Sequence, residues 1–156
     1  MKNLIFALIF LAFCHSAHST NLMGRMGIGL TNQLVNDMPA LSTKVQSSRT
    51  FSWGALLAVD ANSDDTDYGA GLKFYRHLFD EPNLTFFASG MTAILKQGGE
   101  SGYQVDGTLG AEFHIPGLES IGFMFEAGLS VNKHHGQRHI QTLGNHIIKS
   151  AIHFYL

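Results

Sequence analysis

Residues Tyr103–Val131, which read YQVDGTLGAEFHIPGLESIGFMFEAGLSV, decide the fold of this chain. Each half of the stretch alternates apolar side chains with polar or small ones, as a β-strand with two different faces does. The apolar faces hold Tyr103, Val105, Leu109, Ala111 and Phe113 in the first half, and Ile121, Phe123, Phe125, Ala127, Leu129 and Val131 in the second. Pro116-Gly117 between them is typical of a turn. Arms of about ten residues can cross a bilayer as tilted strands, so the stretch predicts a transmembrane β-hairpin.

The same hairpin resembles a largely uncharacterised family of small bacterial outer-membrane β-barrel proteins. The matching residues are Gly110-Ala111-Glu112-Phe113, Pro116-Gly117-Leu118-Glu119 and Ile121-Gly122-Phe123-Met124-Phe125-Glu126. The resemblance extends more loosely to the rest of the chain through its apolar beginning, its strand spacing and its aromatic end. It implies an eight-stranded barrel of the OmpA/OmpX size class. It implies no known activity, and no catalytic residue can be carried over from it.

The composition indicates one domain that does not bind nucleic acid. The chain has 156 residues, 17 glycines, 3 prolines and only 14% charged residues, which fits alternating barrel strands better than a soluble helical domain. The net charge is −2, from 10 basic and 12 acidic residues. No basic stripe is present that would bind a phosphate backbone.

The first 19 residues predict a secretory signal peptide, which leaves residues 20–156 as the barrel. Lys2 supplies the positive end, Leu4–Phe13 the apolar core, and Ala17-His18-Ser19 a small-x-small cleavage site. The alternative is a lipoprotein site at Cys14, which the bulky Phe13 before it disfavours. Since Cys14 is the only cysteine, cleavage after Ser19 excludes disulfides and thiol chemistry from the mature protein.

Eight strands are predicted in all, and they favour a closed antiparallel up-and-down barrel. No apolar run is long enough for a membrane helix, and spanning a membrane without helices requires a closed barrel. Long connections at Thr31–Pro39, Asp60–Asp67, Lys96–Gly102 and Asn132–Gly144 alternate with short turns at Gln46–Arg49, Arg76–Pro82 and Pro116-Gly117. The strands outside the hairpin are Leu22–Leu30, Ala40–Val45, Thr50–Val59, Tyr68–Tyr75, Asn83–Leu95 and Asn145–Leu156. This alternation predicts an outer-membrane location with both termini in the periplasm. A soluble lipocalin-like barrel is the rival fold.

The last strand resembles the terminal signal by which outer-membrane barrels are assembled. Its outward residues are Ile152, Phe154 and Leu156, and most such barrels end in Phe, from which Leu156 departs. The predicted partners are therefore the barrel-assembly machinery, through this strand, and outer-membrane lipid.

Alternation also predicts which side chains point into the barrel, and eight of them could carry charge. They are Arg25, Lys44, Lys73, Asp106, Glu112, Glu126, Lys149 and His153. Eight strands leave room inside only for side chains, and buried charges must pair. A structural ion-pair network is the favoured interpretation, and a narrow proton or ion path is the alternative. Acid–base catalysis by Glu112 and Glu126 is disfavoured because a filled interior admits no substrate.

Two predicted loops carry residues that could bind a partner. The acidic loop holds Asp60, Asp64, Asp65 and Asp67, and the last long loop holds His134, His135 and His139. The acidic loop lacks the glycine and the glutamate of a calcium-binding loop, since Asp65 and Gly71 stand at those positions. Three histidines at this spacing could bind zinc or copper, but a loop fixes their geometry poorly. We therefore predict no metal and no cofactor.

The sequence favours a protein without enzymatic activity, with a structural role or a role in surface interaction through its external loops. The alternatives are a membrane-embedded lipid hydrolase of the lipid A deacylase type and a narrow ion channel. His146 and Ser150 share the outward face of the last strand, as such a hydrolase requires. The residues around them do not resemble the His-x-Ser-Asn signature of that family.

Overall fold

The structure, a computed structural model, describes residues 22–35, 38–61, 66–134, 137–142 and 148–156. These residues form nine β-strands, and no helix occurs among them. The strands are β1 Met26–Thr31, β2 Ala40–Ser48, β3 Phe51–Ala61, β4 Thr66–Glu81, β5 Leu84–Gln97, β6 Glu100–Ile115, β7 Leu118–His134, β8 Gln137–Thr142 and β9 Lys149–Tyr155.

The strands close into an antiparallel barrel with eight positions. Strands β1 to β7 each pair with the next strand along the chain, and β9 pairs with β1 on one side and β7 on the other. Strands β8 and β9 share the eighth position, because β8 lies along Leu129–His134 of β7 and β9 lies along Ile121–Glu126. The predicted eight-stranded antiparallel barrel is therefore confirmed.

The predicted alternation of faces is confirmed along the deciding hairpin. Gln104, Asp106 and Glu112 are buried in the barrel, while Val105 and Leu109 are exposed on its outside. Phe113 stacks on Phe123 and Phe125 of the neighbouring strand, with ring centroids 5.2 and 5.8 Å apart. At the Pro116-Gly117 turn, Gly117 has φ of 82°, a conformation that favours glycine. The hairpin therefore has the alternating faces and the turn that its sequence predicts.

Several strands are longer than predicted, and three predicted connections differ from the structure as a result. Strand β4 continues to Glu81, through most of the predicted turn at Arg76–Pro82. The predicted long connection Lys96–Gly102 is instead a tight turn in which Gly98 and Gly99 have positive φ. The predicted loop Asn132–Gly144 contains β8. Polar residues extend these strands because ladder hydrogen bonds come from the backbone and do not require apolar side chains.

The predicted connection Thr31–Pro39 differs most from the structure, because part of it folds into the barrel. Within Asn32–Val35, Gln33 and Leu34 are buried, and Leu34 is 0% exposed. Leu34 belongs to an apolar cluster with Ala40, Leu56, Ala58, Met91, Ala93 and Leu95. We call Asn32–Val35 the plug, since it closes the end of the interior opposite the Pro116-Gly117 turn. Leu22, the first residue of the predicted strand Leu22–Leu30, is also buried, at the turn end.

Candidate functional site

The interior of the barrel is organised by two ion pairs that join opposite walls. Lys44 of β2 pairs with Glu112 of β6, and Lys73 of β4 pairs with Glu126 of β7. All four side chains are almost fully buried, with exposures of 2% or less. Each charge is compensated by its partner, as burial in a medium of low dielectric requires. These four predicted interior residues therefore occur as two separate pairs.

Glu126 is the most heavily hydrogen-bonded side chain of the interior. Lys73 Nζ lies 2.5 Å from both carboxylate oxygens. Gln33 of the plug donates at 2.5 Å, Thr108 at 2.6 Å and Ser89 at 3.1 Å. Five donated hydrogen bonds saturate the carboxylate, so it has no lone pair left for a substrate or a passing ion.

Tyr75 lies between the two ion pairs and separates their cations. The Lys44 ammonium is 4.7 Å from the centre of the Tyr75 ring, and the Lys73 ammonium is 5.1 Å from it. Phe87 packs edge-on against Tyr75, with ring centroids 5.4 Å apart, and also faces Lys44. Ring faces attract cations, so Tyr75 lets two buried lysines approach each other at reduced electrostatic cost. These rings, with Met124, block the middle of the interior.

Towards the turn end, each oxygen of the second carboxylate accepts a hydrogen bond. Lys44 binds Oε2 of Glu112, and the Tyr155 hydroxyl donates to Oε1 at 2.5 Å. His153 is 0% exposed, and its Nε2 lies 2.6 Å from the Ser42 hydroxyl. His153 therefore lies inside the barrel as predicted, where it contacts a hydroxyl and forms no ion pair.

Near the opposite end, Asp106 and Lys149 help to hold the plug. Gln104 donates to Asp106 Oδ2 at 2.6 Å and to the carbonyl oxygen of Gln33 at 3.0 Å, and its own oxygen accepts the Val35 amide at 2.9 Å. Lys149 Nζ donates to the carbonyl oxygen of Asn32 at 2.9 Å. The plug is therefore bound by side chains of β6, β7 and β9.

Arg25 is the one member of the predicted interior set that lies elsewhere. Its guanidinium donates to the carbonyl oxygens of Tyr155 at 2.7 Å and Leu156 at 3.3 Å. It therefore joins the beginning of the described chain to its end, at the edge of the barrel. Arg25 precedes β1 and is half-buried, and its guanidinium binds these carbonyl oxygens in place of a buried carboxylate.

A cavity of about 370 Å³ lies at the turn end, and sequence reasoning missed it. Its buried residues include His77, Glu112 and His114, and its exposed residues include Arg49, Asp80 and Glu81. His77 is fixed at both ring nitrogens, by the carbonyl oxygen of Arg49 and the hydroxyl of Ser52, each at 3.0 Å. His114 lies two residues after Glu112 on β6, so alternation places it on the same inward face. That pattern could have identified His114 from the sequence. His77 lies in the part of β4 that continues beyond the predicted strand, so no alternation was expected there.

At the end of the β6–β7 turn, beside this cavity, the carboxylate of Glu119 is held by the backbone. Glu119 accepts a hydrogen bond from the Gly117 amide at 3.0 Å. Hydrogen bonds from the backbone amides of Glu119 itself and of Gly117 hold the pKa of the Glu119 carboxyl below its ordinary value. Glu119 thus stabilises the turn and lies outside the cavity.

The predicted loop candidates are only partly described, and those described lie on strands. Asp60 and Asp67 face each other across β3 and β4, and Asp67 accepts the Gly98 amide at 2.8 Å. Asp64, Asp65 and His135 lie outside the described residues, as does the side chain of His134. His139 is exposed on β8 and pairs with Asn132. Among the side chains that the structure describes, no three His, Cys, Asp or Glu residues are grouped closely enough to hold a metal ion.

Of the two residues considered for lipid hydrolysis, only Ser150 is described. It is half-buried, and its amide donates to Asn32 Oδ1 at 2.7 Å. His146 lies outside the described residues.

Comparison of the chain with protein-family models, with curated proteins and with solved structures gives no match. In the described part of the chain, no helix has the length and apolar character needed to cross a membrane.

Proposed function

We propose that this chain is an outer-membrane β-barrel protein without enzymatic activity, of the family that its hairpin resembles. Residues 1–19 serve as the signal peptide, residues 20–156 form the barrel, and both termini lie in the periplasm. The protein acts in structure or surface contact, through the end of the barrel opposite the termini. One observation carries the membrane assignment: the outside of the barrel is apolar and the inside is charged and paired.

The outward faces form a belt of mainly apolar side chains, with the charged Arg76 of β4 near its turn end. The exposed large side chains include Trp53, Leu72, Leu109, Phe125 and Phe154, from five different strands. On β6 the outward positions from Tyr103 to Ile115 are uncharged, and twelve steps of about 3.4 Å make this run about 41 Å long. At a tilt of about 40° such a strand rises about 31 Å, enough to cross an outer membrane. A soluble lipocalin-like barrel would have the opposite arrangement, with apolar side chains inside.

Phenylalanines concentrate near the turn end of this belt. Phe51 stacks on Phe74 with ring centroids 6.3 Å apart, and Phe79 stacks on Phe86 at 4.5 Å. Phe113, Phe123, Phe125 and Phe154 lie near the same end of their strands. Membrane barrels carry aromatic girdles where the belt meets the polar interface. The arrangement supports a periplasmic interface at the turn end.

The closed interior supports a role without transport. The plug fills one end, Tyr75, Phe87 and Met124 block the middle, and every oxygen of the two buried glutamates accepts a hydrogen bond. The opposite end instead presents β8, where Arg138, His139 and Ile140 are exposed and Ile140 is 78% exposed. Exposed side chains on a rigid scaffold are where binding residues are commonly found.

Cell fractionation tests the location. The protein should separate with outer membranes, need detergent for extraction and migrate differently on a denaturing gel before and after boiling. Recovery as a soluble periplasmic monomer without detergent would refute the membrane assignment.

Purified protein tests the proposed absence of transport and catalysis. In planar bilayers it should show no stable conductance of porin size, and it should not hydrolyse lipid A or phospholipid. Hydrolysis that is abolished by Ser150→Ala would establish an enzyme and overturn the proposal. Stable conductance would overturn it as well.

A further inference from the structure

Two cations lie side by side on the outward face of the barrel, at the end opposite the termini, which we call the external end. Lys133 of β7 pairs directly with Arg138 of β8, and we call these two residues the cation pair. Directly opposite residues of an antiparallel pair have Cβ atoms about 4.5–5.5 Å apart, so both side chains can reach one ligand. Lys133 points outward because it continues the alternation of β7, in which Asn132 is buried and Val131 is exposed.

The cation pair lacks a counter-charge among the described residues, where neither member forms an ion pair. The sequence contains no Asp or Glu after Glu126, so the β7–β8 hairpin has no carboxylate of its own beyond that residue. Like charges directly opposite each other destabilise a strand pair. An anion bound to both side chains would remove this repulsion.

The position of Lys133 along β7 matches the second interface of a membrane. Phe123 belongs to the phenylalanines near the turn end, and Lys133 follows it ten residues later on the same outward face. Ten steps of about 3.4 Å at a tilt of about 40° rise about 26 Å, which is the height of the apolar band of outer-membrane barrels. Tyr103, the partner of Lys133 on β6, supplies an aromatic ring at this level. The cation pair therefore lies where lipid headgroups begin.

An apolar row lies next to the cation pair on the side of the belt. It consists of Val105, Val131 and Ile140, which pair across β6, β7 and β8. All three side chains are exposed, and Ile140 is the most exposed of them. The pair and the row together form a surface with cations at the external side and apolar side chains at the belt side. A lipid with a phosphorylated headgroup is divided in the same way, whereas a free anion would contact only the cations.

We infer that this surface binds the headgroup phosphate of a lipid in the outer leaflet. Arg138 and Lys133 contact the phosphate, and the upper part of the acyl chains lies along Val131 and Ile140. A guanidinium binds phosphate through two parallel hydrogen bonds, and an ammonium adds a further charge-assisted donor. The inference rests on the proposed membrane location and gives the external end of the barrel a class of ligand.

The test measures lipid binding to the full barrel in detergent micelles by native mass spectrometry. The probes are diphosphoryl lipid A, monophosphoryl lipid A and phosphatidylcholine, whose headgroup has no net charge. We expect the affinity to fall in that order, and binding of diphosphoryl lipid A to weaken with added salt. Equal affinity for all three lipids would overturn the inference. Displacement of the lipid by an equal concentration of inorganic phosphate would also overturn it, because the ligand would then be a free anion.

Variants locate the ligand on the barrel. Lys133→Gln combined with Arg138→Gln should weaken binding of diphosphoryl lipid A by about tenfold or more, since charge-assisted hydrogen bonds are the stronger ones. Arg49→Gln combined with Arg76→Gln is the matched control, because it removes the same charge from exposed positions at the turn end, and it should leave the affinity unchanged. Ile140→Ser should weaken binding severalfold, because it removes an apolar contact and keeps both cations.

These measurements also separate the inference from the proposed function. Insertion into lipid vesicles and the gel shift on boiling verify that each variant forms a barrel. If the barrel inserts but the two double variants bind diphosphoryl lipid A alike, the external surface is not the site, and only the inference is overturned. If the unmodified protein does not insert, the membrane assignment fails and the inference fails with it.

Discussion

Removal of the Lys73 charge should destabilise the barrel strongly, because its partner would remain buried without a counter-charge. In Lys73→Met, Glu126 loses two of its five hydrogen bonds and keeps three neutral donors, from Gln33, Ser89 and Thr108. Breaking a buried ion pair by removing one partner costs about 3–5 kcal/mol. We expect a loss of that size in the free energy of unfolding.

The reverse replacement and the double variant show whether the cost belongs to the pair. Glu126→Gln leaves the Lys73 ammonium buried and should cost a similar amount. The double variant removes both charges and keeps an amide oxygen that can accept from Ser89 and Thr108. Replacing a whole buried pair is often close to neutral, so the double variant should lose only about 1–2 kcal/mol. Its cost should therefore be far below the sum of the two single costs.

Urea unfolding in lipid vesicles measures these differences. Trp53 is the only tryptophan and lies on the outward face, so its fluorescence reports loss of the outer wall of the barrel. The slope of the unfolding free energy against urea concentration should be the same in all variants. A constant slope shows that the variants change stability and not the unfolded state. Lys96→Met, at a half-exposed outward position of β5, is the control and should cost less than about 1 kcal/mol. Additive single costs, or a loss below about 1 kcal/mol for Lys73→Met, would refute the reasoning.

Three further predictions use the same unfolding measurement. Leu109→Arg places a charge on the outward belt and should cost about 2–4 kcal/mol in lipid; an unchanged midpoint would contradict the lipid-facing assignment. Gly128→Ala should cost about 1–3 kcal/mol or more, because a Cβ there would lie 2.1 Å from the Gly107 carbonyl oxygen. Gly107→Ala is its matched control and should be tolerated, since a Cβ there meets no atom within 4 Å. Leu34→Ala should cost about 2–5 kcal/mol if the plug is packed as described, and a loss below about 1 kcal/mol would mean that it is not.

The parts of the fold that the sequence predicts are those governed by alternation. Within a strand, one apolar residue identifies the outward face, and alternation then assigns all the remaining residues to one face or the other. Lys44, Lys73, Glu112 and Glu126 are therefore placed correctly. Which lysine pairs with which glutamate depends on the closure and stagger of the barrel, which no local pattern contains.

The errors occur where alternation ends. Gln33 and Leu34 follow β1 in a segment rich in turn-forming residues, and their burial depends on Gln104, about 70 positions away. Strand β8 has exposed side chains on both faces, so it lacks the two-faced pattern that reveals a strand. The cavity at the turn end is formed by separate turns, and its residues become neighbours only when the barrel closes.

The contact between Arg25 and the last two residues has a consequence for the order of folding. It joins positions 131 apart, as part of the seam in which β1 pairs with β9. Closing a chain loop of about 130 residues costs about 3 kcal/mol more conformational entropy than closing a four-residue hairpin. The neighbouring hairpins can therefore form early, each from local contacts, while the seam has to wait for both ends of the chain. A ring of strands has no stable half-closed state, since every missing strand leaves two unpaired edges. Closure of the seam should thus be the last and most cooperative step, and its rate should set how long the open intermediate survives.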